Sequence, residues 1–235
     1  MGTNTTTKTT DAQPIGIKCI QVNIQHSRAA TANLLKGVAE DETDIIFIQE
    51  PNTIQGKVIG ISTKYRIFTS GKERCRAAVV ATNNQIDAML MHQLSDADTV
   101  AVEIIKGNTK IIAVSIYFDR GNQIEHDLIK MESVLHHTKN TGVLIASDCN
   151  ARSTLWHDKL TNKRGRILEE FITSNQTRSL LEDIKTKQLG PYTGSCCCFR
   201  PGNRFSVPAA MTHFHSGFLR SNSSSRLVMG ERGRS

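Results

Sequence analysis

The sequence is poor in aromatic residues and has no apolar run long enough to cross a membrane. Only 5% of its 235 residues are Phe, Trp or Tyr, and a membrane-spanning helix needs ~20 consecutive apolar residues. Residues 3–10 are polar and rich in threonine, without the apolar segment of a signal peptide. We therefore expect no membrane association. The sequence gives no basis for an oligomeric state.

The cysteines form no disulfide framework. They lie at positions 19, 75, 149, 196, 197 and 198. Cys19 and Cys149 fall within or beside apolar segments, where free thiols are commonly buried. This usage indicates a reducing compartment, nuclear or cytoplasmic. A zinc site made by the three consecutive cysteines with His213 and His215 is an alternative, but adjacent cysteines cannot easily chelate one tetrahedral ion.

Positive charge is concentrated near the end of the sequence. The formal net charge is +7, of which residues 194–235 carry +5 and the rest +2. A weakly basic body permits approach to a phosphate backbone without proving nucleic-acid binding. Residues 194–235 lack lysine, aspartate and hydrophobic periodicity, so we expect a disordered basic tail, either solvated or gripping nucleic acid. Residues 1–15 are expected to form a disordered leader.

Apolar periodicity divides the body of the chain, residues 16–193, into strands and helices. A strand over 17–24, a helix capped by Ser27 and a buried strand over 44–49 predict a β-α-β opening. Further strands are predicted over 65–68, 77–81, 88–91, 99–105, 110–117 and 143–147, and helices over 122–138 and 163–175. Short strands without crossover helices should pair antiparallel. The mixture predicts an α/β protein with two packed sheets and helices outside.

Four polar signatures stand where predicted strands end. They are Asn23-Ile24-Gln25, Gln49-Glu50-Pro51, Tyr117 and Ser147-Asp148-Cys149-Asn150. Alternate side chains on a strand share a face, so Asp148 and Asn150 project together. Carboxylate and amide oxygens at neighbouring strand ends suit Mg²⁺ or Mn²⁺ rather than Zn²⁺, which predicts metal-assisted attack of water on a phosphoester. Each signature alone also fits a strand end, an Asx-type turn or a structural tyrosine.

In their order and spacing, these segments resemble the endonuclease/exonuclease/phosphatase superfamily, which includes the apurinic endonucleases and DNase I. They are similar in particular to the endonuclease domain of insect non-LTR retrotransposons. The resembling segments are Ile20-Gln21-Val22-Asn23, Ile46-Phe47-Ile48-Gln49-Glu50-Pro51, Arg76-Ala77-Ala78-Val79-Val80, Val114-Ser115-Ile116-Tyr117-Phe118, Ala146-Ser147-Asp148-Cys149-Asn150-Ala151-Arg152-Ser153, Leu155-Trp156-His157 and Asn162-Lys163-Arg164-Gly165. The resemblance covers residues 16–193, and the run from Asp148 to His157 is its most specific part.

The resemblance implies a fold and an activity. The fold is a four-layer α/β sandwich of two mixed sheets, DNase I-like and incomplete at the C-terminus. The activity is phosphodiester hydrolysis dependent on Mg²⁺ or Mn²⁺. It nicks one strand of double-stranded DNA, so that the freed 3′ hydroxyl primes reverse transcription.

The resemblance also implies residue roles. Glu50 would bind the divalent metal, and Asn23 would assist in positioning metal or phosphate. Tyr117 would contact the scissile phosphate. Asp148 would orient or deprotonate the attacking water, with Asn150 supporting the transition state.

Substrate contacts are expected from Arg76, Arg152 and Trp156. Arg76 is equally consistent with a plain surface hairpin, and for Trp156 a core position is the favoured alternative. Gln25 stands where many superfamily members carry Asp, which weakens the case for a second carboxylate ligand there.

The sequence departs from the superfamily pattern after residue 193. That pattern ends with a strand bearing Asp and then a Ser-Asp-His signature, whereas the last aspartate here is Asp183. The later histidines, His213 and His215, have no acidic neighbour. We therefore predict impaired hydrolysis, with a catalytically inactive nucleic-acid-binding remnant as the alternative. A phosphatase-like activity on a small phosphoester is a third hypothesis.

Overall fold

The computed structural model describes residues 17–156, 158–175, 177–179, 195–200 and 214–218. Within these ranges lie three α-helices, two short 3₁₀ turns and thirteen strands. The helices are α1 (Arg28–Asp41), α2 (Ile124–His137) and α3 (Lys163–Ser174), and the 3₁₀ turns are His92–Leu94 and Thr154–Trp156. The strands are β1 (Cys19–Asn23), β2 (Ile45–Gln49), β3 (Thr53–Ile54), β4 (Lys57–Val58), β5 (Arg66–Phe68), β6 (Ala77–Ala81), β7 (Asp87–Leu90), β8 (Thr99–Lys106), β9 (Thr109–Tyr117), β10 (Gly142–Asp148), β11 (Arg178–Ser179), β12 (Ser195–Arg200) and β13 (Phe214–Phe218).

Two mixed sheets carry most of these strands. The first sheet has the order β13-β1-β2-β6-β5, and the second has the order β11-β12-β10-β9-β8-β7. In the first, β1 and β2 are parallel and β2 and β6 antiparallel. In the second, β9 and β10 are parallel and β8 and β9 antiparallel. The short hairpin β3-β4 stands apart and was not predicted.

The buried side chains show how the layers stack. Alternate residues of the first sheet, such as Ile46 and Ile48, form one cluster with Leu34 and Val38 of α1. The intervening residues, such as Phe47, join a second cluster with the second sheet and with α2 and α3. This alternation follows from the two-residue period of a strand. The predicted four-layer α/β sandwich is confirmed by the fold and by its structural neighbours described below.

Two of the helices begin at capping residues visible in the sequence. The Ser27 hydroxyl accepts from the Ala30 N–H at 3.2 Å, as predicted, and the Asn162 side chain accepts from the Gly165 N–H at 2.8 Å. Such caps satisfy N–H groups that have no partner inside the helix. Both helices thereby start at fixed points beside the strand ends that they follow.

Two segments of the expected tail are strands. Ser195–Arg200 pairs antiparallel with β10, and Phe214–Phe218 pairs parallel with β1. The backbone hydrogen bonds of a sheet edge supply partners that apolar periodicity does not reveal. Neither strand was predicted from the sequence. The other residues of 194–235 lie outside the described ranges, as does the expected leader over 1–15. The boundary at residue 193 stays a prediction.

None of the helices in the described ranges is both long and apolar enough to span a bilayer.

Candidate functional site

The ends of three strands meet through one amide group. The Asn23 Nδ2 donates to Glu50 Oε2 at 2.9 Å and to Asp148 Oδ2 at 2.5 Å. Asn23 ends β1, Asp148 ends β10, and Glu50 directly follows β2. Two carboxylates from different sheets therefore lie within reach of a single nitrogen, at the edge where the parallel strands terminate.

The backbone around these groups is left-handed at four non-glycine residues. Gln25, His26, Glu50 and Asn150 have φ angles of 47°, 55°, 48° and 46°. Such conformations cost of order 1 kcal/mol or more each and persist where surrounding contacts enforce them. Here the Gln25 N–H donates to Asn23 Oδ1 at 2.9 Å and the Asn150 N–H to Asp148 Oδ1 at 3.2 Å. The turns thus bring the chain back onto the polar groups at the strand ends.

Burial sets the proton affinity of Asp148. Its side chain is buried, and burial raises the pKa of Asp148 from 3.8 to about 6, against the opposing effect of the hydrogen bond from Asn23. The nearby Glu50 carboxylate acts in the same direction as burial, and the Arg120 guanidinium opposes it. Asp148 is therefore ionised at neutral pH but holds a proton more readily than an exposed aspartate.

Tyr117 and Asn150 line the same site. Burial, and then the carboxylates of Glu50 and Asp148, raise the pKa of Tyr117, while a hydrogen bond with the Asn150 side chain lowers it. The Asn150 Nδ2 donates to the Phe118 carbonyl at 2.9 Å. The phenol therefore stays protonated at neutral pH and can donate a hydrogen bond.

Arg76 packs against the Tyr117 side of this site. Its Nε donates to Asp98 Oδ1 at 2.6 Å, and its Nη1 is paired with Asp119. The guanidinium carbon lies 5.0 Å from the centroid of the Tyr117 ring, a cation–π distance. Two carboxylates thus pair with the guanidinium, which also lies against the Tyr117 ring. The expected contact of Arg76 with substrate stays a prediction.

The other two expected substrate contacts lie in different surroundings. Arg152 is exposed and forms a bidentate pair with Asp158, with its Nη2 2.8 Å from Asp158 Oδ1. Trp156 is fully buried, and its Nε1 donates to the Ala151 carbonyl at 3.0 Å. Trp156 is thus a core residue, which corrects its expected contact with substrate. Its aromatic type did not distinguish the two roles.

A polar bridge of Gln21, Gln49 and Ser115 joins the two sheets directly behind the site. Gln21 Nε2 donates to the Ser147 carbonyl at 2.7 Å and to Gln49 Oε1 at 3.3 Å. Gln49 Nε2 donates to Ser115 Oγ at 3.0 Å and to the Ala146 carbonyl at 3.1 Å. These buried groups hold β1 and β2 of the first sheet against β9 and β10 of the second.

Two residues of the site, His26 and Arg120, were not predicted from the sequence. His26 lies with its Nδ1 2.9 Å from the Pro51 carbonyl oxygen and its Nε2 3.8 Å from Glu50 Oε1. Arg120 donates from Nε to Asn150 Oδ1. Both lie close to a polar signature in sequence. His26 follows Gln25, and Arg120 stands three residues after Tyr117. That proximity in sequence was the available signal.

The donor set fits a hard divalent cation. Two carboxylates and an amide oxygen are the ligand types of Mg²⁺, which commonly takes one or two carboxylates and completes its shell with water and phosphate oxygens. Glu50 is the more accessible carboxylate, with 21% of its side chain exposed. No three His, Cys, Asp or Glu side chains gather as a metal cluster in the described ranges. The side chains of the three consecutive cysteines lie outside the description.

The sequence of this chain is similar to those of several known proteins. A family model described as "Endonuclease-reverse transcriptase" matches residues 111–195. The chain is 25% identical over 170 residues to a putative 115 kDa protein of the type-1 retrotransposable element R1DM of Drosophila melanogaster, covering 68% of this chain and 16% of that protein. It is 30% identical over 131 residues to the Pol polyprotein of the type-1 element R1 of Bradysia coprophila, covering 51% and 13%. The chain thus spans about a sixth or less of these relatives.

A solved structure gives the same assignment. The endonuclease domain of TRAS1, a telomere-specific non-LTR retrotransposon, superimposes with a TM-score of 0.63 at 26% identity, covering 76% of this chain and 83% of that domain. The described fold is therefore that of the endonuclease/exonuclease/phosphatase superfamily, whose nucleases generally use divalent metals. Within it, the chain is similar to the R1 element proteins and to the TRAS1 endonuclease domain.

Proposed function

We propose that this domain nicks one strand of double-stranded DNA by phosphodiester hydrolysis dependent on Mg²⁺ or Mn²⁺. The observation that carries the proposal is the convergence of Glu50 and Asp148 on the amide of Asn23, with Tyr117 and Asn150 alongside. Similarity to retrotransposon endonucleases supports DNA as the substrate. By the same similarity, the freed 3′ hydroxyl would prime reverse transcription.

Glu50 and Asn23 are the residues that would hold the metal. A bound divalent cation would polarise a phosphoryl oxygen and neutralise developing charge. The NH₂ group of Asn23 donates to both carboxylates, so Asn23 keeps them together. Glu50 is thus the principal oxygen donor and Asn23 the group that positions it.

Asp148 would act on the attacking water. With a pKa raised to about 6 by burial, it is ionised at neutral pH and more basic than an exposed aspartate. The side chains of Asn150 and Tyr117 would then donate to phosphate oxygens, where charge grows in the transition state.

We also propose that hydrolysis is slow in this chain. Its sequence has no aspartate after Asp183 and no Ser-Asp-His signature, and loss of a general acid–base group typically costs roughly 10²–10⁴-fold in rate. A nucleic-acid-binding remnant without turnover is the second candidate, favoured by the same sequence feature. The basic charge over 194–235 would serve either function.

A plasmid-nicking assay tests these proposals. Supercoiled DNA is incubated with the full chain and Mg²⁺, Mn²⁺ or chelator, and conversion to the open circle is followed. We expect slow nicking that requires the metal and is lost in Glu50→Gln and Asp148→Asn. The exposed residues Glu40 and Asp87 provide matched controls, since Glu40→Gln and Asp87→Asn remove the same charge elsewhere.

The outcomes separate the candidates. Nicking as fast as in an intact retrotransposon endonuclease, abolished by both site variants, would overturn the proposed impairment. Duplex binding without nicking at any metal concentration would favour the remnant. Release of phosphate from inositol phosphates or lipids, with no action on DNA, would favour the small-phosphoester hypothesis.

We propose a reducing location, nuclear or cytoplasmic, for this activity. The Cys19, Cys75 and Cys149 side chains are buried and take part in no disulfide, which agrees with such a compartment. Localisation of a tagged full chain by microscopy would test it, and accumulation in a secretory compartment would contradict it.

A further inference from the structure

We infer that Arg120 binds a backbone phosphate of the DNA strand next to the scissile bond, an assignment that rests on the proposed function. Arg120 is exposed and lies in the loop between β9 and α2. Its Nε donates to Asn150 Oδ1, at the edge of the site defined by Asn23, Glu50 and Asp148. It was not among the residues that the sequence pointed to.

The neighbouring arginines are already committed to protein groups. Arg76 is paired with Asp98 and Asp119. Arg164 donates to the main-chain carbonyls of Asn122 at 2.8 Å and of Asp119 and Cys149 at 3.3 Å. Arg120, by contrast, has no ion pair with a carboxylate of the described chain, and its recorded hydrogen bond goes to a neutral amide. Its charge is therefore available to a ligand.

The geometry leaves the right donors exposed. A guanidinium carries five N–H groups in a planar fork. The bond to Asn150 uses Nε, so the N–H groups of Nη1 and Nη2 remain for two oxygens of one phosphate. Asn150 is itself fixed, since its N–H donates to Asp148 Oδ1 and its Nδ2 to the Phe118 carbonyl. The fork is thus anchored at one edge and open on the other.

The charge of the site favours such a group. An anionic phosphodiester that approaches Glu50 and Asp148 meets two carboxylates, and like charges at short range repel. The field of Arg120 already reaches the site, since it opposes the raised pKa of Asp148. A cation at this edge would therefore favour binding of the phosphodiester at the site.

Salt-dependent DNA binding tests the assignment. Binding of a short fluorescent duplex to the full chain is measured by anisotropy from 50 to 300 mM salt, once in chelator and once with Ca²⁺. The variants are Arg120→Gln, Arg120→Lys and the control Lys36→Gln, which removes one positive charge from the exposed side of α1. Far-ultraviolet circular dichroism checks that each variant is folded.

Arg120→Gln is expected to reduce the slope of log K against log salt by roughly 0.9 and to weaken binding about 5- to 10-fold at 100 mM salt, because one counterion-releasing contact is lost. Arg120→Lys keeps the charge and should keep the slope, as should Lys36→Gln. Equal slopes for Arg120→Gln and Lys36→Gln would overturn the assignment. Nicking by the unmodified chain is scored separately, so failure of the hydrolysis proposal remains distinguishable from failure of this one.

Discussion

Asp148→Asn should stabilise the metal-free protein at neutral pH, although it removes a group proposed to be catalytic. The carboxyl is buried, and its pKa is raised from 3.8 to about 6. The folded state therefore holds the proton more tightly than the unfolded chain does. This rise corresponds to about 3 kcal/mol, since each tenfold change in proton affinity contributes about 1.4 kcal/mol.

The sign of the effect gives a pH window. Below pH 3.8 the carboxyl is protonated in both states and costs nothing. As the pH rises from 3.8 to about 6, the unfolded chain ionises first and the folded state loses stability relative to it. Above that range the full cost remains. The asparagine variant does not titrate, so its advantage should grow across this window and then stay constant.

Urea unfolding in chelator, at half-unit steps from pH 4 to pH 8, measures this difference. At each pH, the free energy of unfolding of Asp148→Asn is compared with that of the unmodified chain. The contributions of the other titrating groups cancel in this difference. Asp158→Asn is the control of opposite sign, because the ion pair with Arg152 lowers the pKa of Asp158. That variant should lose stability relative to the unmodified chain as the pH rises. A pH-independent difference for Asp148→Asn would refute the reasoning.

Three further substitutions test the packing around the site. Trp156→Phe should lower the free energy of unfolding by about 1–3 kcal/mol in a denaturant titration, because the buried Ala151 carbonyl loses its donor, while DNA affinity stays unchanged. Gly165→Ala should destabilise by about 1–3 kcal/mol in thermal unfolding, because a Cβ there would lie 1.9 Å from the Arg152 carbonyl oxygen. Gly37→Ala, with nothing within 4 Å, should instead stabilise α1 by about 0.5–1 kcal/mol in the same assay; equal effects of the two alanines would contradict this account.

Local patterns predicted most of the elements. The strand over Ala77–Ala81 has its predicted limits, and Ser27 caps α1 as expected. These features depend on residues close together in sequence, where periodicity and capping chemistry act. The convergence of Asn23, Glu50 and Asp148 was also predicted, although these residues are far apart in sequence. The signal was the position of each polar residue at the end of a predicted strand.

Features that leave no signal in their own segment of the sequence were not predicted. The strands over 195–200 and 214–218 pair with β10 and β1, and their own residues show no alternating pattern. Arg120 and His26 gained their significance only from neighbours across the site. For Trp156 the sequence left a core position and a substrate contact open, with the core position favoured, and its full burial agrees with the core position.

The polar bridge of Gln21, Gln49 and Ser115 has a consequence for how this fold can vary. Apolar side chains between two sheets can slide and repack, but these amides fit their acceptors at one alignment only. If either sheet shifted by one residue, the buried side-chain amides would lose their hydrogen-bond acceptors without access to water. These hydrogen bonds therefore fix the alignment of the two sheets and keep Asp148 close to Glu50. Substitutions elsewhere in the core can accumulate without separating the two acids.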